Sequence, residues 1–200
     1  SGKTEVYFRA VEEALSRGRG AIVLVPEIGL TPMLVRAARA RFGGTVSVLH
    51  SELAAGERHD QWWRIREGEA RVVVGARSAV FAPVPALGLL VVDEEHDGSY
   101  KQDESPRYHG RDVAVMRARL EGCPAVLGSA TPSVESHANA LRGKYERLAL
   151  PVRIGPQGLP RVEIVDQRAV LKAGGDPILS PTLRDALAAR LARAEQSLVL

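Results

Sequence analysis

The sequence predicts an α/β protein built on a parallel sheet with helices on both faces. Three observations carry this: short branched or leucine-rich runs recur along the chain, segments with helical apolar spacing lie between them, and Gly, Pro or charged residues bound each run. In such a sheet ligands are expected outside the carboxyl ends of the strands, so the chemistry is sought there.

The first helix is expected directly after Ser1-Gly2-Lys3-Thr4, with Val6, Ala10, Val11, Ala14 and Leu15 on one face. Buried strands are expected at 21–25, 46–49, 72–74, 89–92 and 125–127. Trp62-Trp63 falls on a helix and is expected to pack against the sheet. A later helix places Val113, Met116 and Leu120 on one face, and Cys123 reads as a small buried residue. From about Pro151 the pattern loosens into a connector with Gly155-Pro156, Gly158 and Gly174-Gly175, around one expected strand at 162–165. A final helix is expected from Ser180, a cap followed by proline at the first helical position, to about Glu195, with a strand starting at 197–200.

Composition narrows the class. With 200 residues, 45% hydrophobic, 26% charged and 4% aromatic, the chain fits a soluble globular protein of one or two domains, which excludes disorder and collagen. No apolar stretch approaches the roughly 18 residues of a membrane span, so no membrane is expected and the cytoplasm is the default. One cysteine can form neither an internal disulfide nor a zinc ribbon in this segment. The net charge of +3, carried mostly by arginine, is compatible with nucleic acid and weak evidence for it. The opening Ser1-Gly2-Lys3-Thr4, without methionine, reads as a chain cut inside a motif.

That tetrapeptide, followed by a helix, matches the second half of the phosphate loop G-x-x-x-x-G-K-[ST]. On this reading the N–H groups around Ser1 and Gly2 and the Lys3 ammonium hold phosphates, while the Thr4 hydroxyl ligates magnesium. Taken alone it is equally a polar terminus. The strand at 89–92 runs into Asp93-Glu94-Glu95-His96. An Asp at a strand end suits Mg2+, and the next acid can polarise water, which assigns Asp93 to the metal and Glu94 to the water. His96 is either a solvated loop residue or a link to the next motif. That motif, Ser129-Ala130-Thr131-Pro132, ends the strand at 125–127. Ser129 and Thr131 can bond to the acids and change partner when a γ-phosphate leaves, which suits coupling; alone, the string would serve as a cap for the following helix.

SGKT, DEEH and SATP, in this order on this βα pattern, resemble superfamily 2 helicases. Longer strings narrow the resemblance: Val25-Pro26-Glu27-Ile28-Gly29-Leu30-Thr31-Pro32, His50-Ser51, Gly75-Ala76-Arg77-Ser78-Ala79-Val80-Phe81-Ala82-Pro83, Tyr100-Lys101-Gln102 through Ser105-Pro106-Arg107-Tyr108-His109, and Arg111-Asp112-Val113-Ala114. Together they resemble the PriA (primosomal protein N′) family of replication-restart helicases over nearly the whole chain.

The resemblance implies a P-loop NTPase fold with a first RecA-like ATP-binding lobe over 1–150, a connector over 151–179 and the start of a second lobe over 180–200. It implies an ATP- and Mg2+-dependent 3′ to 5′ DNA helicase that binds stalled forks and D-loops and reloads the replicative helicase. Lys3, Asp93 and Glu94 would be catalytic, with Ser1, Gly2, Thr4 and His96 completing the nucleotide site. Thr31, Arg77 and Ser78 would face DNA, and Tyr100, Lys101, Arg107 and Tyr108 would form an aromatic-rich loop that stacks on bases, with Lys101, Arg107 and Arg111 pairing with phosphates. Phe81 by itself reads as core, while the resemblance implies that the segments Pro26 to Pro32 and Gly75 to Phe81 face the DNA strand.

Implied partners are forked and single-stranded DNA, primosome proteins, single-strand-binding protein and a replicative helicase loader, in a bacterial cytoplasm at the nucleoid. Zn2+ is expected only in a part of the family's protein outside this segment, and these residues alone are expected to bind nucleotide weakly and unwind nothing. Glu52, Met33 and Ala76 depart from the small residue, glutamine and threonine frequent in the family, which touches the fine geometry of strand contacts. Two other readings stay open: a non-catalytic DNA-binding loader or scaffold, and another superfamily 2 translocase.

Overall fold

The computed structural model describes residues 2–27, 30–151, 162–172, 174, 176 and 178–199. The chain forms two compact units, Ser1–Ile154 and Gly155–Leu200. Ser1, Ile28 and Gly29, for which a phosphate or strand contact is expected, lie outside the described residues.

In the first unit the order is α1 (Lys3–Ser16), β1 (Gly20–Leu24), α2 (Pro32–Phe42), β2 (Val46–Leu49), α3 (Ala55–Arg66), β3 (Val72–Gly75), β4 (Leu87–Asp93), β5 (Lys101–Gln102), β6 (Tyr108–His109), α4 (Gly110–Glu121), β7 (Ala125–Gly128) and α5 (Val134–Leu141). Five strands pair in the order β2-β3-β1-β4-β7, every pair parallel. After β1 the chain builds to one side with β2 and β3, then crosses to β4 and β7 on the other. A doubly wound sheet of this kind opens its crevice at the carboxyl ends near the crossing. The short β5 and β6 form a separate antiparallel hairpin.

Strand alternation divides the core in two. Ile22, Leu24, Val73, Leu90 and Val92 meet Ile65 of α3 and Ala114 and Ala118 of α4 on one face. Ala21, Val23, Val72, Val74, Leu89 and Val91 meet Tyr7, Phe8, Val11 and Ala14 of α1 and Ala38 of α2 on the other. Because both faces are covered, the strands are apolar at nearly every position, which is the continuous hydrophobic run seen in the sequence. All five expected strands form, each within two residues of its expected ends.

Four expectations fail here. On α1, Val6 is exposed, and Tyr7 and Phe8 occupy the inner face with Val11. On α4, Met116 and Leu120 point to solvent, because the face turned to the sheet is the one carrying Ala114 and Ala118, whose small side chains allow a close approach, while Gly110 fits against Arg77 and Tyr100. Trp62 and Trp63 do not pack on the sheet. They stand on the outer side of α3 with the Arg66 guanidinium 5.3 and 4.9 Å from their ring centroids, a cation–π arrangement that shields them in place of core. Phe81 is not core either, and is 57% exposed. Cys123 is half-buried against the α4 side of the core, and burial pushes its thiol upward.

In the second unit, α6 (Gln167–Lys172) and α7 (Pro181–Ala192) are the described elements. Ser180 caps α7, its side chain accepting from the Leu183 N–H at 3.2 Å, and Pro181 follows at the first helical position. No strand forms at 162–165, where Val162 and Ile164 are exposed, nor at 197–199. A branched run becomes a strand only where a neighbour takes its hydrogen bonds. Among the described residues no helix is long and apolar enough to cross a membrane.

Candidate functional site

The site gathers where the carboxyl end of β4 faces the start of α1. Gly2 holds the N-cap of α1 in a left-handed conformation (φ 77°), and among the described residues no side chain caps the helix, so its first N–H groups can receive an anion. Lys3 begins the helix. Its ammonium pairs with the Glu94 carboxylate and lies 3.6 Å from Asp93 Oδ1. Thr4, in the same first turn, is exposed.

Adjacent residues in a strand point to opposite faces, so Asp93 and Glu94 would ordinarily part. Glu94 instead takes φ 45°. A non-glycine residue there costs about 1–3 kcal/mol, and the cost is met by a turn in which the Asp97 N–H donates to the Glu94 carbonyl at 2.8 Å. The turn brings both carboxylates to Lys3 and sends Glu95 into the interior.

Asp93 is held from two sides. Its Oδ1 accepts from the Tyr7 hydroxyl at 2.8 Å and the Glu94 N–H at 3.0 Å, while its carbonyl accepts from the Tyr100 hydroxyl at 2.7 Å. Burial, and then the Asp93 charge, push both phenols well above the ordinary tyrosine range, so both remain donors. His96 connects the acids to the next motif. Its Nδ1 lies 2.7 Å from Ser129 Oγ and 3.6 Å from Glu94 Oε2, its Nε2 lies 3.4 Å from Thr131 Oγ1, and the Thr131 N–H donates to Ser129 Oγ at 2.9 Å. Lys3, Asp93, Glu94, His96, Ser129 and Thr131 therefore form one connected group.

A second group surrounds the β5–β6 hairpin and the turn at Arg77–Phe81. Arg77 donates to the carbonyls of Ser99 and Lys101, and its guanidinium lies 5.9 Å from the Tyr108 ring centroid. Phe81 meets Tyr108 edge-on at 5.2 Å. Lys101, Arg107 and Ser78 are exposed nearby in sequence on the same two segments. Tyr100 does not belong to this surface. It is 0% exposed with its hydroxyl committed to Asp93, so the expectation that its ring stacks on a base fails: the side chain is an internal strut. Thr31 caps α2, accepting from the Leu34 N–H at 3.3 Å, while remaining exposed. A cleft of about 640 Å3 between α2 and α3 carries Glu27, Glu52, Glu57 and Asp60 against Arg39 and His50, an acidic lining unsuited to phosphate. Among the described residues no cluster of His, Cys, Asp and Glu could hold a metal on its own.

Comparison with known proteins decides the family. Residues 1–140 match the DEAD/DEAH box helicase family. The chain belongs to the DEAD/DEAH box helicases. It is 49% identical over 199 residues to the Replication restart protein PriA of Bacillus subtilis (strain 168), covering 100% of this chain and 25% of that protein. It is 48% identical over 206 residues to the PriA of Synechocystis sp., covering 100% and 24%, and 51% identical over 166 residues to that of Treponema pallidum, covering 83% and 25%. The chain spans about a quarter of the length of these curated relatives.

The box that gives DEAD/DEAH box helicases their name reads Asp93-Glu94-Glu95-His96 here, with glutamate where the name has alanine. The structure shows what that glutamate does. Glu95 is 1% exposed, and its carboxylate accepts from the Ser133 N–H (2.7 Å), the Ser133 and Ser136 hydroxyls (2.9 and 2.8 Å) and Arg111 Nη1 (3.2 Å). Burial alone would raise its pKa; the Ser133 N–H, the two hydroxyls and Arg111 outweigh burial and hold it below the ordinary carboxylate value. The expectation that Arg111 pairs with DNA phosphate fails, because its side chain is buried and committed to Glu95, Ser133 and Asp112. Sequence reasoning missed Glu95, Tyr7 and Arg117, the last of which fastens the Arg77–Phe81 turn by donating to the carbonyls of Val80 (2.6 Å) and Ala82 (2.8 Å). One signal was available. Arg111, Ala114 and Ala118 share helical spacing, so the face of small residues carried Arg111 inward with it.

Proposed function

We propose that this chain is part of an ATP-dependent 3′ to 5′ DNA helicase of replication restart, with its first RecA-like lobe over 1–150, a connector over 151–179 and the start of a second lobe over 180–200. The observation that carries the reading is the convergence of Lys3, Asp93 and Glu94 at the uncapped start of α1.

The residues fit a magnesium nucleotide. Free N–H groups and an ammonium suit phosphate oxygens, and the Asp93 carboxylate and Thr4 hydroxyl supply hard oxygen ligands beside them. Bound there, Mg2+ would neutralise phosphate charge and orient the phosphates for in-line attack. Lys3 exchanges its carboxylate partners for phosphate. Glu94, relieved of Lys3, accepts the proton of the attacking water. Tyr7 and Tyr100 keep Asp93 in place, and His96 relays the change to Ser129 and Thr131.

On the DNA side, Phe81 and Tyr108 offer ring faces and edges to bases, and Arg77, Ser78, Lys101, Arg107 and Thr31 offer donors to phosphates. The implied setting is the bacterial cytoplasm at the nucleoid, with forked and single-stranded DNA, primosome proteins, single-strand-binding protein and a helicase loader as partners. The similarity to Replication restart protein PriA supports replication restart as the process and DNA as a partner.

The test is steady-state ATP hydrolysis by the full-length protein with and without forked DNA, beside Lys3→Ala, followed by unwinding of substrates with a single 3′ or 5′ tail. Stimulation abolished by Lys3→Ala, with unwinding along the 3′ to 5′ direction, is expected. Tight fork binding without turnover would overturn the motor and leave a loader.

A further inference from the structure

The buried carboxylate in the acidic box has no part in the chemistry just described, yet it has more partners than either acid that does. Glu95 follows Glu94 directly, and its own N–H donates to the Gly128 carbonyl at 3.0 Å, one residue before Ser129. Its carboxylate reaches Arg111, the second residue of α4, which begins where the β5–β6 hairpin ends. It also reaches Ser133 and Ser136, the cap and first turn of α5, which begins just after Thr131. Arg111 closes the ring by donating to Ser133 Oγ at 2.8 Å and to Asp112 Oδ1 at 2.9 Å. One buried side chain thus joins the hairpin's exit, the acids at the end of β4 and the segment carrying Ser129 and Thr131.

We propose that Glu95 is a positioning residue that couples the two sites: movement of the hairpin on DNA shifts Arg111, and Glu95 transmits the shift to Glu94 and Ser129. The physical ground is the stiffness of a buried, fully satisfied ion pair. Breaking one partner leaves an uncompensated charge, so the pair moves as a unit with whichever element is displaced. Among the described residues Lys3 pairs with Asp93 and Glu94, and neither Glu95 nor Arg111 is joined to it directly. The proposal rests on the reading above that the hairpin meets DNA.

The experiment compares wild type, Glu95→Gln and Ser136→Ala in the full-length protein, measuring ATP turnover without DNA, turnover at saturating single-stranded DNA, and DNA affinity. Glu95→Gln is expected to keep DNA-free turnover and DNA affinity within about twofold while the stimulation ratio falls about tenfold, within the usual range of coupling between sites. Ser136→Ala, which removes one of the four donors and leaves the ion pair, is expected to lower the ratio less. It carries the test should Glu95→Gln fail to fold. An unchanged ratio, or an equal fall in basal and stimulated turnover, overturns the coupling role while the function stands. Wild type without any stimulation by DNA overturns both.

Discussion

The Tyr7 hydroxyl donates to the Asp93 carboxylate at 2.8 Å, across 86 residues of sequence, and so ties the helix that carries Lys3 to the strand that ends in the acids. Tyr7 is 4% exposed, and its ring leaves no freedom to follow Asp93 elsewhere. Tyr7→Phe keeps the packing and removes the donor. Hydrogen bonds to a charged acceptor contribute about 1.5–3 kcal/mol, and the partial exposure of Asp93 lowers this to about 1 kcal/mol because water can replace the phenol. The expected outcome in the full-length protein is that loss in urea denaturation together with a raised magnesium requirement for ATP turnover. Unaltered magnesium dependence would detach Tyr7 from the site.

Gly128 reaches the same tyrosine from β7. A Cβ there would meet the Tyr7 hydroxyl oxygen at 1.7 Å and its Cζ at 2.7 Å. Gly128→Ala therefore forces the ring aside and takes the hydroxyl from Asp93. Overpacking of this kind costs about 1–3 kcal/mol. Stability measured in a cycle with Tyr7→Phe should be non-additive, because the two substitutions break one shared contact.

The aromatic surface makes a separable prediction. Phe81→Ala and Tyr108→Ala should each weaken single-stranded DNA binding by about 1–3 kcal/mol, read by fluorescence anisotropy. Tyr100→Phe should leave DNA affinity unchanged and lower stability instead, since Tyr100 is fully buried against Asp93. The opposite pattern would return Tyr100 to the DNA surface.

Two groups beside Arg111 contribute to the acid response. His109 is held below its ordinary 6.5, first by burial and then by the Arg111 charge, and Glu95 lies below its ordinary 4.5. In both cases the unfolded chain binds protons more readily, so stability rises with pH. The His109 contribution is lost as pH falls below about 6.5, and the Glu95 contribution follows as pH falls below about 4.5. Urea midpoints taken over that range should flatten in the upper window for His109→Gln and in the lower window for Glu95→Gln.

The strands were legible because a doubly covered sheet needs apolar residues at consecutive positions, and no other element of this chain needs them so densely. The acid pair and Lys3 were legible for a different reason: on the function proposed above, phosphate and magnesium restrict which residues can stand there. Packing by small residues was not legible. The apolar trio Val113, Met116 and Leu120 draws attention to the wrong face of α4, while Gly110, Ala114 and Ala118 mark a close approach through their lack of bulk. Tyr100 misled because tyrosine suits both a base-stacking surface and a buried strut, and only the acceptor at Asp93 tells them apart. The run at 162–165 lacked a neighbouring strand, which composition does not reveal.

The left-handed residue at Glu94 has a further consequence, for length rather than for side-chain identity. Two successive acids meet at Lys3 and the third enters the interior only because the backbone changes parity once, at the middle one. Replacing a side chain in this stretch alters one destination. Adding or deleting a single residue would reassign all three, setting an interior carboxylate toward solvent and a solvent carboxylate into the core. The folded path of the chain from Asp93 to Glu95 should therefore survive a point substitution far better than any change in residue count.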